Sequence, residues 1–187
     1  MLVLLTGPPG TGKSTLADAA AAHLGAAVLG WDWAMAALTG FPTIQSALAQ
    51  ASAADHRRVG WSILGNLATA QLRRGASIVL DGCARDAEVD GTRAVAAAAG
   101  ARHVLVTTSC HDRALHRRRV EGRRRHIPGW HELDWAHVAD FLSRWQPPGG
   151  ADLHLDAGDR LDANAARLVA VLRPDRAGPD LSDARRR

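Results

Sequence analysis

Short apolar runs alternate with longer segments of helical periodicity along most of the chain. The apolar runs predict strands at 2–5, 27–29, 77–81, 103–107 and 153–155. Apolar residues at helical spacing predict helices at 14–24, across 34–72 with a break near 41–42, and at 87–99, 112–121, 135–145 and 162–172. Continuous apolar strands that alternate with helices are typical of an α/β fold, in which helices cover both faces of a parallel sheet.

The length and composition of the chain predict one domain. The chain has 187 residues, of which 47% are apolar and 22% charged, and we place the domain at 1–172. The polar segment 173–187 is predicted to be a disordered tail. No apolar run approaches the roughly 18 residues of a membrane span, and Met1 leads directly into a strand and not into a signal peptide. We therefore predict a cytoplasmic protein without a membrane partner.

A glycine-rich segment links the first predicted strand to the first predicted helix. It fits the phosphate-loop pattern G-x-x-x-x-G-K-[ST] and reads Gly7-Pro8-Pro9-Gly10-Thr11-Gly12-Lys13-Ser14. The glycines let backbone N–H groups converge on an anion. Lys13, the only lysine in the chain, would reach the β- and γ-phosphates, and Ser14 would bind Mg²⁺. We predict that residues Gly7 to Thr15 bind ATP, or alternatively GTP, together with Mg²⁺.

Two aspartates follow predicted strands, at the edge where parallel sheets bind ligands. Asp81 closes the strand at 77–81 and is predicted to hold Mg²⁺ with Ser14, although an aspartate at this position also suits a turn. Asp32 follows the strand at 27–29. It would orient the acceptor hydroxyl and take its proton, or alternatively cap a helix that begins near residue 34.

Aromatic residues flank the second of these aspartates. Trp31 and Trp33 could each stack on a ring of the acceptor, whereas simple alternation would place one in the core and the other outside. The predicted acceptor contacts are Asp32, Trp33 and Arg85.

Positive charge is concentrated in one stretch. Residues 111–126 contain seven arginines against two acidic residues, a net +5, whereas the whole chain carries +4. Arg119 and Arg123 are four residues apart and share a helical face. They are predicted to act in catalysis from a lid at about 111–130 that neutralises the transferring phosphoryl group. Contact with nucleic-acid phosphates and a merely solvated basic surface are the alternatives.

The combined motifs resemble small bacterial P-loop kinases of the polynucleotide-kinase-like and chloramphenicol-phosphotransferase-like group, often labelled AAA-family ATPases. The resemblance covers nearly all of 1–172. It rests on the phosphate loop, Asp32, V-L-D-G at 79–82, the pair Arg119 and Arg123, and L-H-L-D at 153–156. The resemblance implies a five-stranded parallel sheet with the phosphate-loop strand near its centre. It also implies that Asp32 is the catalytic base and that residues 157–160 hold the nucleotide base.

These observations predict a phosphotransferase that moves the γ-phosphate of ATP to a hydroxyl of a small molecule. An antibiotic, a nucleoside or a sugar alcohol would each provide such a hydroxyl. One alternative is a nucleic-acid 5′-hydroxyl kinase that uses the same arginines to bind a phosphate backbone. A second is an NTPase module that converts hydrolysis into motion, although the chain is short for the separate lid domain of hexameric AAA machines.

Overall fold

The computed structural model describes residues 1–173, and the predicted disordered tail beyond Arg173 lies outside this range. None of the helices described in 1–173 combines the length and apolar character that crossing a membrane demands. Strands and helices alternate in the order β1 (Leu2–Thr6), α1 (Lys13–Leu24), β2 (Ala27–Gly30), α2 (Trp31–Ala36), α3 (Pro42–Gln50), α4 (Ala53–Leu72), β3 (Ile78–Asp81), α5 (Asp86–Ala98), β4 (His103–Ser109), α6 (Arg113–Glu121), α7 (Trp135–Ser143), β5 (Leu153–Asp156) and α8 (Leu161–Leu172).

The strands form one parallel sheet in the order β2-β3-β1-β4-β5. β1 lies at the centre, where Leu5 pairs with Asp81 of β3 on one side and with Val106 of β4 on the other. Gly30 of β2 also pairs with Asp81. The segments that follow β1, β2 and β3 therefore leave the sheet side by side. The predicted five-stranded parallel sheet with the phosphate-loop strand near its centre is confirmed.

The side chains of β1 alternate between two hydrophobic cores. Val3 and Leu5 pack with α1 and α8 on one face of the sheet, and Leu2 and Leu4 pack with α4 and α5 on the other. All four side chains are fully buried, and each such burial contributes about 1.5–3 kcal/mol. Because both faces are covered, β1 is apolar at every one of these positions, which explains its continuous apolar run.

The segment predicted to be largely helical across 34–72 forms three helices. A break falls at Phe41, because Pro42 starts α3 at a position where its missing N–H is harmless. The second break falls at Ser52, whose side chain accepts a hydrogen bond from Asp55 N at 3.0 Å and caps α4. α2 begins at Trp31, earlier than expected, and its N-cap is Gly30. The alternative role of Asp32 as a cap for a helix near residue 34 is therefore wrong.

Candidate active site

The loop between β1 and α1 requires glycine at several positions. Gly7, Gly10 and Gly12 have φ values of 150°, 83° and 80°, a region that residues with side chains seldom adopt. At Gly7 an added Cβ would lie 2.3 Å from the carbonyl oxygen of Thr108. The start of the loop can therefore lie against the end of β4 only because residue 7 has no side chain.

Lys13 begins α1 and provides a buried positive charge. Only 8% of the residue is exposed, and its ammonium donates to the carbonyl oxygen of Pro8 at 2.9 Å. Lys13 forms no ion pair within residues 1–173. The Asp81 carboxyl lies close enough to interact electrostatically with this charge, and a bound anion would supply a direct ion-pair partner for the buried ammonium. The loop and its lysine are therefore suited to a phosphate group.

A cavity of about 330 Å³ opens at this loop. Its volume falls within the range of small-molecule sites. The cavity joins most of the predicted phosphate loop to the two predicted lid arginines, and Leu161 adds an exposed apolar side chain beside the predicted nucleobase segment 157–160. The lining residues are Gly10, Gly12, Lys13, Ser14, Thr15, Arg119, Arg123 and Leu161.

Asp81 lies at the carboxyl end of β3, close to the start of α1. Burial raises the pKa of Asp81, whereas the nearby Lys13 ammonium and Ser14 hydroxyl lower it by less. In the described part of the chain, no three or more His, Cys, Asp or Glu side chains are grouped to hold a metal. Mg²⁺ is commonly held by one or two carboxylates together with phosphate oxygens of a nucleotide. The donors Ser14 and Asp81 therefore fit Mg²⁺ when a nucleotide supplies the remaining oxygens.

Asp32 lies in the first turn of α2, and 41% of its side chain is exposed. Its Oδ2 accepts a hydrogen bond from Arg125 Nη1 at 2.5 Å. Its negative charge also contributes to the raised pKa of Asp81, so the two predicted carboxylates belong to one site. Sequence reasoning missed Arg125 as a site residue, because its contact spans 93 positions and its only signal was its place in the arginine stretch.

The two predicted lid arginines both reach the cavity. Arg123 Nη2 donates to the Ser14 hydroxyl at 3.5 Å. Desolvation and the neighbouring Arg125 lower the pKa of Arg123. Arg119 lines the same cavity. The structure thus brings both arginines to the phosphate loop, and their predicted action on a transferring phosphoryl group stays a prediction.

α6, which carries Arg119, is held directly against the phosphate loop. His116 is only 2% exposed, and its Nε2 lies 2.7 Å from the carbonyl oxygen of Pro9, to which it donates. An added Cβ at Gly10 would lie 2.6 Å from a methyl group of Val120. The inner face of the basic helix is therefore packed on the phosphate loop.

The predicted acceptor side contains a packed aromatic group. Trp31 Nε1 donates to the carbonyl oxygen of Arg57 in α4 at 3.3 Å, and its ring centroid lies 6.0 Å from that of Trp130 in an edge-on arrangement. Trp33 is 57% exposed, and Arg85 is half-buried before α5. The structure thus packs Trp31 and leaves Trp33 on the surface. The acceptor contacts of Trp33 and Arg85 stay predictions.

Several solved kinases and a resistance protein have the same fold. A gluconokinase from Sinorhizobium meliloti 1021 is 18% identical with a TM-score of 0.64, and the match covers 90% of this chain and 89% of that one. The Mycobacterium tuberculosis APS kinase, solved with AMPPNP and APS, is 25% identical with a TM-score of 0.57 and coverage of 91% and 96%. A tunicamycin resistance protein from Deinococcus radiodurans is 17% identical with a TM-score of 0.59 and coverage of 95% and 98%.

No protein of curated function matches the sequence. A protein-family comparison matches the AAA domain over residues 2–148. This range includes the phosphate loop, Asp32, Asp81 and the arginine stretch, which carried most of the resemblance to P-loop kinases, whereas L-H-L-D at 153–156 lies outside it. The resemblance is confirmed by these similarities: the chain belongs to the AAA domain family and has the fold of the small P-loop kinases.

Proposed function

We propose that the chain is an ATP- and Mg²⁺-dependent kinase that phosphorylates a hydroxyl group of a small molecule. The observation that carries the proposal is the position of Asp32 at the same edge of the sheet as the phosphate loop and Asp81, close enough to Asp81 for its charge to help raise the pKa of that carboxyl. A nucleotide-binding module that only hydrolyses ATP needs the loop and a metal carboxylate. A second, partly exposed carboxylate beside them is what a phosphoryl acceptor would require.

The site has a nucleotide side and an acceptor side, and different residues act on each. On the nucleotide side, Lys13 and the backbone N–H groups of the loop bind the phosphates, and Arg123 neutralises charge as the phosphoryl group leaves ADP. Mg²⁺, held by Ser14 and Asp81, would supply further charge neutralisation. On the acceptor side, Asp32 accepts the hydroxyl proton as the acceptor oxygen bonds to the γ-phosphorus and the bond from that phosphorus to the β-phosphate oxygen breaks.

The acceptor side supports a small molecule over a nucleic acid. Trp33, next to Asp32 in the sequence, is 57% exposed and offers an aromatic surface that suits a sugar ring or another compact ring. The arginine stretch is not a continuous free surface, because Arg117 pairs with Glu121 and Arg125 pairs with Asp32. A gluconokinase and a sugar kinase are among the proteins of this fold, which agrees with a small hydroxyl acceptor.

A phosphoryl-transfer screen tests the proposal. Purified protein is incubated with ATP, Mg²⁺ and one candidate acceptor at a time. The acceptors are nucleosides, aminoglycosides, chloramphenicol-like alcohols, sugars and 5′-hydroxyl oligonucleotides, and the products are identified by mass spectrometry. We expect one phosphoryl group to be added to a small alcohol. Labelling of oligonucleotides alone, with binding that weakens steeply as salt increases, would assign the arginine stretch to nucleic acid. Hydrolysis without a labelled acceptor would favour an NTPase module.

The variant Asp32→Asn separates catalysis from nucleotide binding. Asparagine has the shape of aspartate but cannot take the proton, so we expect transfer to fall by about 10²–10⁴-fold. Affinity for ATP with Mg²⁺, measured by calorimetry, should stay within about twofold, because Asp32 does not line the phosphate cavity. Asp18→Asn, an exposed substitution in α1, is the matched control and should retain both properties. Equal loss of transfer and binding would mean that Asp32 is structural.

A further inference from the structure

Arg125 makes a buried connection between the arginine stretch and the acceptor side of the site. Its side chain is only 6% exposed, which is unusual for an arginine that follows an exposed basic helix. Nη1 donates to Asp32 Oδ2 at 2.5 Å, and Nη2 donates to the carbonyl oxygen of His131 at 2.5 Å. The guanidinium thus bridges α2 and the segment before α7.

Glu132 holds Arg125 from a second side. The carboxylate of Glu132 accepts from the backbone N of Arg125 at 2.8 Å and from its Nε at 3.4 Å. These contacts, with that from His126 N, lower the pKa of Glu132. Because two carboxylates share one guanidinium, the charge of Arg125 is balanced by Glu132 as well as by Asp32. A side chain clamped by three partners is a fixed element of the site.

Arg125 engages only one oxygen of the Asp32 carboxylate. Oδ2 receives the guanidinium, whereas Oδ1 accepts no hydrogen bond from any residue in the described range. The Asp32 side chain is 41% exposed, and Oδ1 is the oxygen that keeps its hydrogen-bonding capacity for a hydroxyl group. When one oxygen of a carboxylate is held, the position of the other oxygen is also restricted. Proton transfer requires a base that is positioned in this way.

We propose that Arg125 is a positioning residue, which orients Asp32 so that Oδ1 receives the acceptor proton while Glu132 keeps the guanidinium in place. This inference rests on the proposed function, because Asp32 must be the group that takes the proton. Arginine itself stays protonated and cannot serve as the base. Its role is therefore to hold the carboxylate and leave the chemistry to Asp32.

A single-turnover ATP hydrolysis assay tests this inference without a known acceptor, because water serves as the nucleophile. The wild type is compared with Asp32→Asn, Arg125→Ala, Arg125→Lys and the double variant Asp32→Asn with Arg125→Ala. Arg124→Ala is the matched control, since Arg124 is adjacent and exposed and forms no ion pair within residues 1–173. Affinity for ATP with Mg²⁺ and the thermal midpoint are measured for each variant.

We expect Asp32→Asn and Arg125→Ala each to slow hydrolysis by about 10- to 100-fold. The double variant should be no slower than the slower single variant, because both changes remove one function. Arg125→Lys should recover part of the rate, because it keeps the charge and one donor. Arg124→Ala should stay within twofold of the wild type, and all variants should bind ATP normally. With an acceptor from the screen, Arg125→Ala should lower kcat more than it raises the KM for ATP.

The outcomes separate this inference from the proposed function. If Asp32→Asn slows hydrolysis and Arg125→Ala does not, the positioning role is wrong and the base is unaffected. The positioning role would also be overturned if the rate loss in the double variant equalled the product of the two single losses. Faster hydrolysis by Arg125→Ala would overturn it as well, because it would mean that the guanidinium masks Asp32. If Asp32→Asn has no effect, the proposed base fails and the role of Arg125 fails with it.

Discussion

Burial of Asp81 at the end of β3 raises the pKa of a carboxyl group that is proposed to hold a metal. The raised pKa means that Asp81 loses its proton at a higher pH than an ordinary aspartate, whose reference value is 3.8. Without a metal, the folded state binds this proton more tightly than the unfolded state does. The stabilisation that the protonated Asp81 gives the folded state is therefore complete below pH 3.8. It is lost as the pH rises through the raised pKa of Asp81.

Mg²⁺ bound at Asp81 would reverse this balance, because it would favour the ionised carboxylate. Mg²⁺ needs the ionised carboxylate, so the gain in ATP affinity that Mg²⁺ provides should decrease on acidification, starting above the usual range for aspartate. Calorimetric titrations with ATP, with and without Mg²⁺, measure this gain across a pH series. Asp81→Asn should weaken the gain and remove most of its pH dependence, whereas Asp18→Asn should follow the wild type. An unchanged pH profile in Asp81→Asn would exclude Asp81 as the metal ligand.

The position of individual residues in the fold could be predicted from the sequence where a local pattern fixed it, whereas their roles stay predictions. Lys13 and Ser14 lie in a continuous motif, and Asp32 and Asp81 follow apolar strands whose carboxyl ends meet at one edge. Arg125 was not distinguishable from its neighbours, because nothing local separates a buried arginine from exposed ones. Only the fold, which brings position 125 to position 32, reveals that this arginine is paired.

At the scale of secondary structure elements, a glycine in α4 allows the indole of Trp31 to pack against the helix backbone. A Cβ added at Gly60 would lie 2.2 Å from Nε1 and 2.7 Å from Cε2 of Trp31. The indole of Trp31 therefore lies directly on the helix backbone at this glycine. Gly65, in the same helix, has only one neighbour near an added Cβ, a methyl group of Val95 at 4.0 Å.

These two glycines give a matched pair of substitutions. Gly65→Ala should be neutral or stabilise the fold by up to about 1 kcal/mol, because alanine favours the helix. Gly60→Ala should be destabilising by about 1–3 kcal/mol relative to Gly65→Ala, because Trp31 must move. Denaturant unfolding measures the difference, and a changed tryptophan emission should accompany Gly60→Ala alone. Equal stability and emission in both variants would contradict the packing of Trp31 on α4.

The predicted elements agreed best with the structure where the local sequence pattern was clear, as in the continuous apolar run of β1 and the alanine-rich segment of α5. The boundaries around α2 and α3 were less accurate, because α2 has six residues and buries only Met35 and Ala36, too few to define a helical stripe. No residue of α3 is buried, so apolar periodicity could not define its limits. The break before α4 did have a local signal, since Ser52 and Asp55 form a capping pair.

At the scale of the whole molecule, stability depends on the central strand, which contributes to both cores. Leu4→Ala should lower the free energy of unfolding by about 2–5 kcal/mol, because it leaves a cavity in a fully buried position. Leu67→Ala is the control, since Leu67 in α4 is exposed and its truncation should change stability by less than about 0.5 kcal/mol. Denaturant titrations compare the two variants. A small loss for Leu4→Ala would mean that the cores can close around the truncated side chain.

β1 lies between β3 and β4 at the centre of the sheet, so different loops approach the phosphate loop from its two sides. On one flank, β2 and β3 lead to Asp32, Trp31 and Asp81, and on the other, β4 and β5 lead to α6 and Leu161. Under the proposed function, substitutions near Trp31 and Asp32 would change which compound is phosphorylated, while the phosphate loop and α6 would continue to bind the nucleotide. Related chains could then differ in the acceptor that they bind and keep the same nucleotide-binding loop.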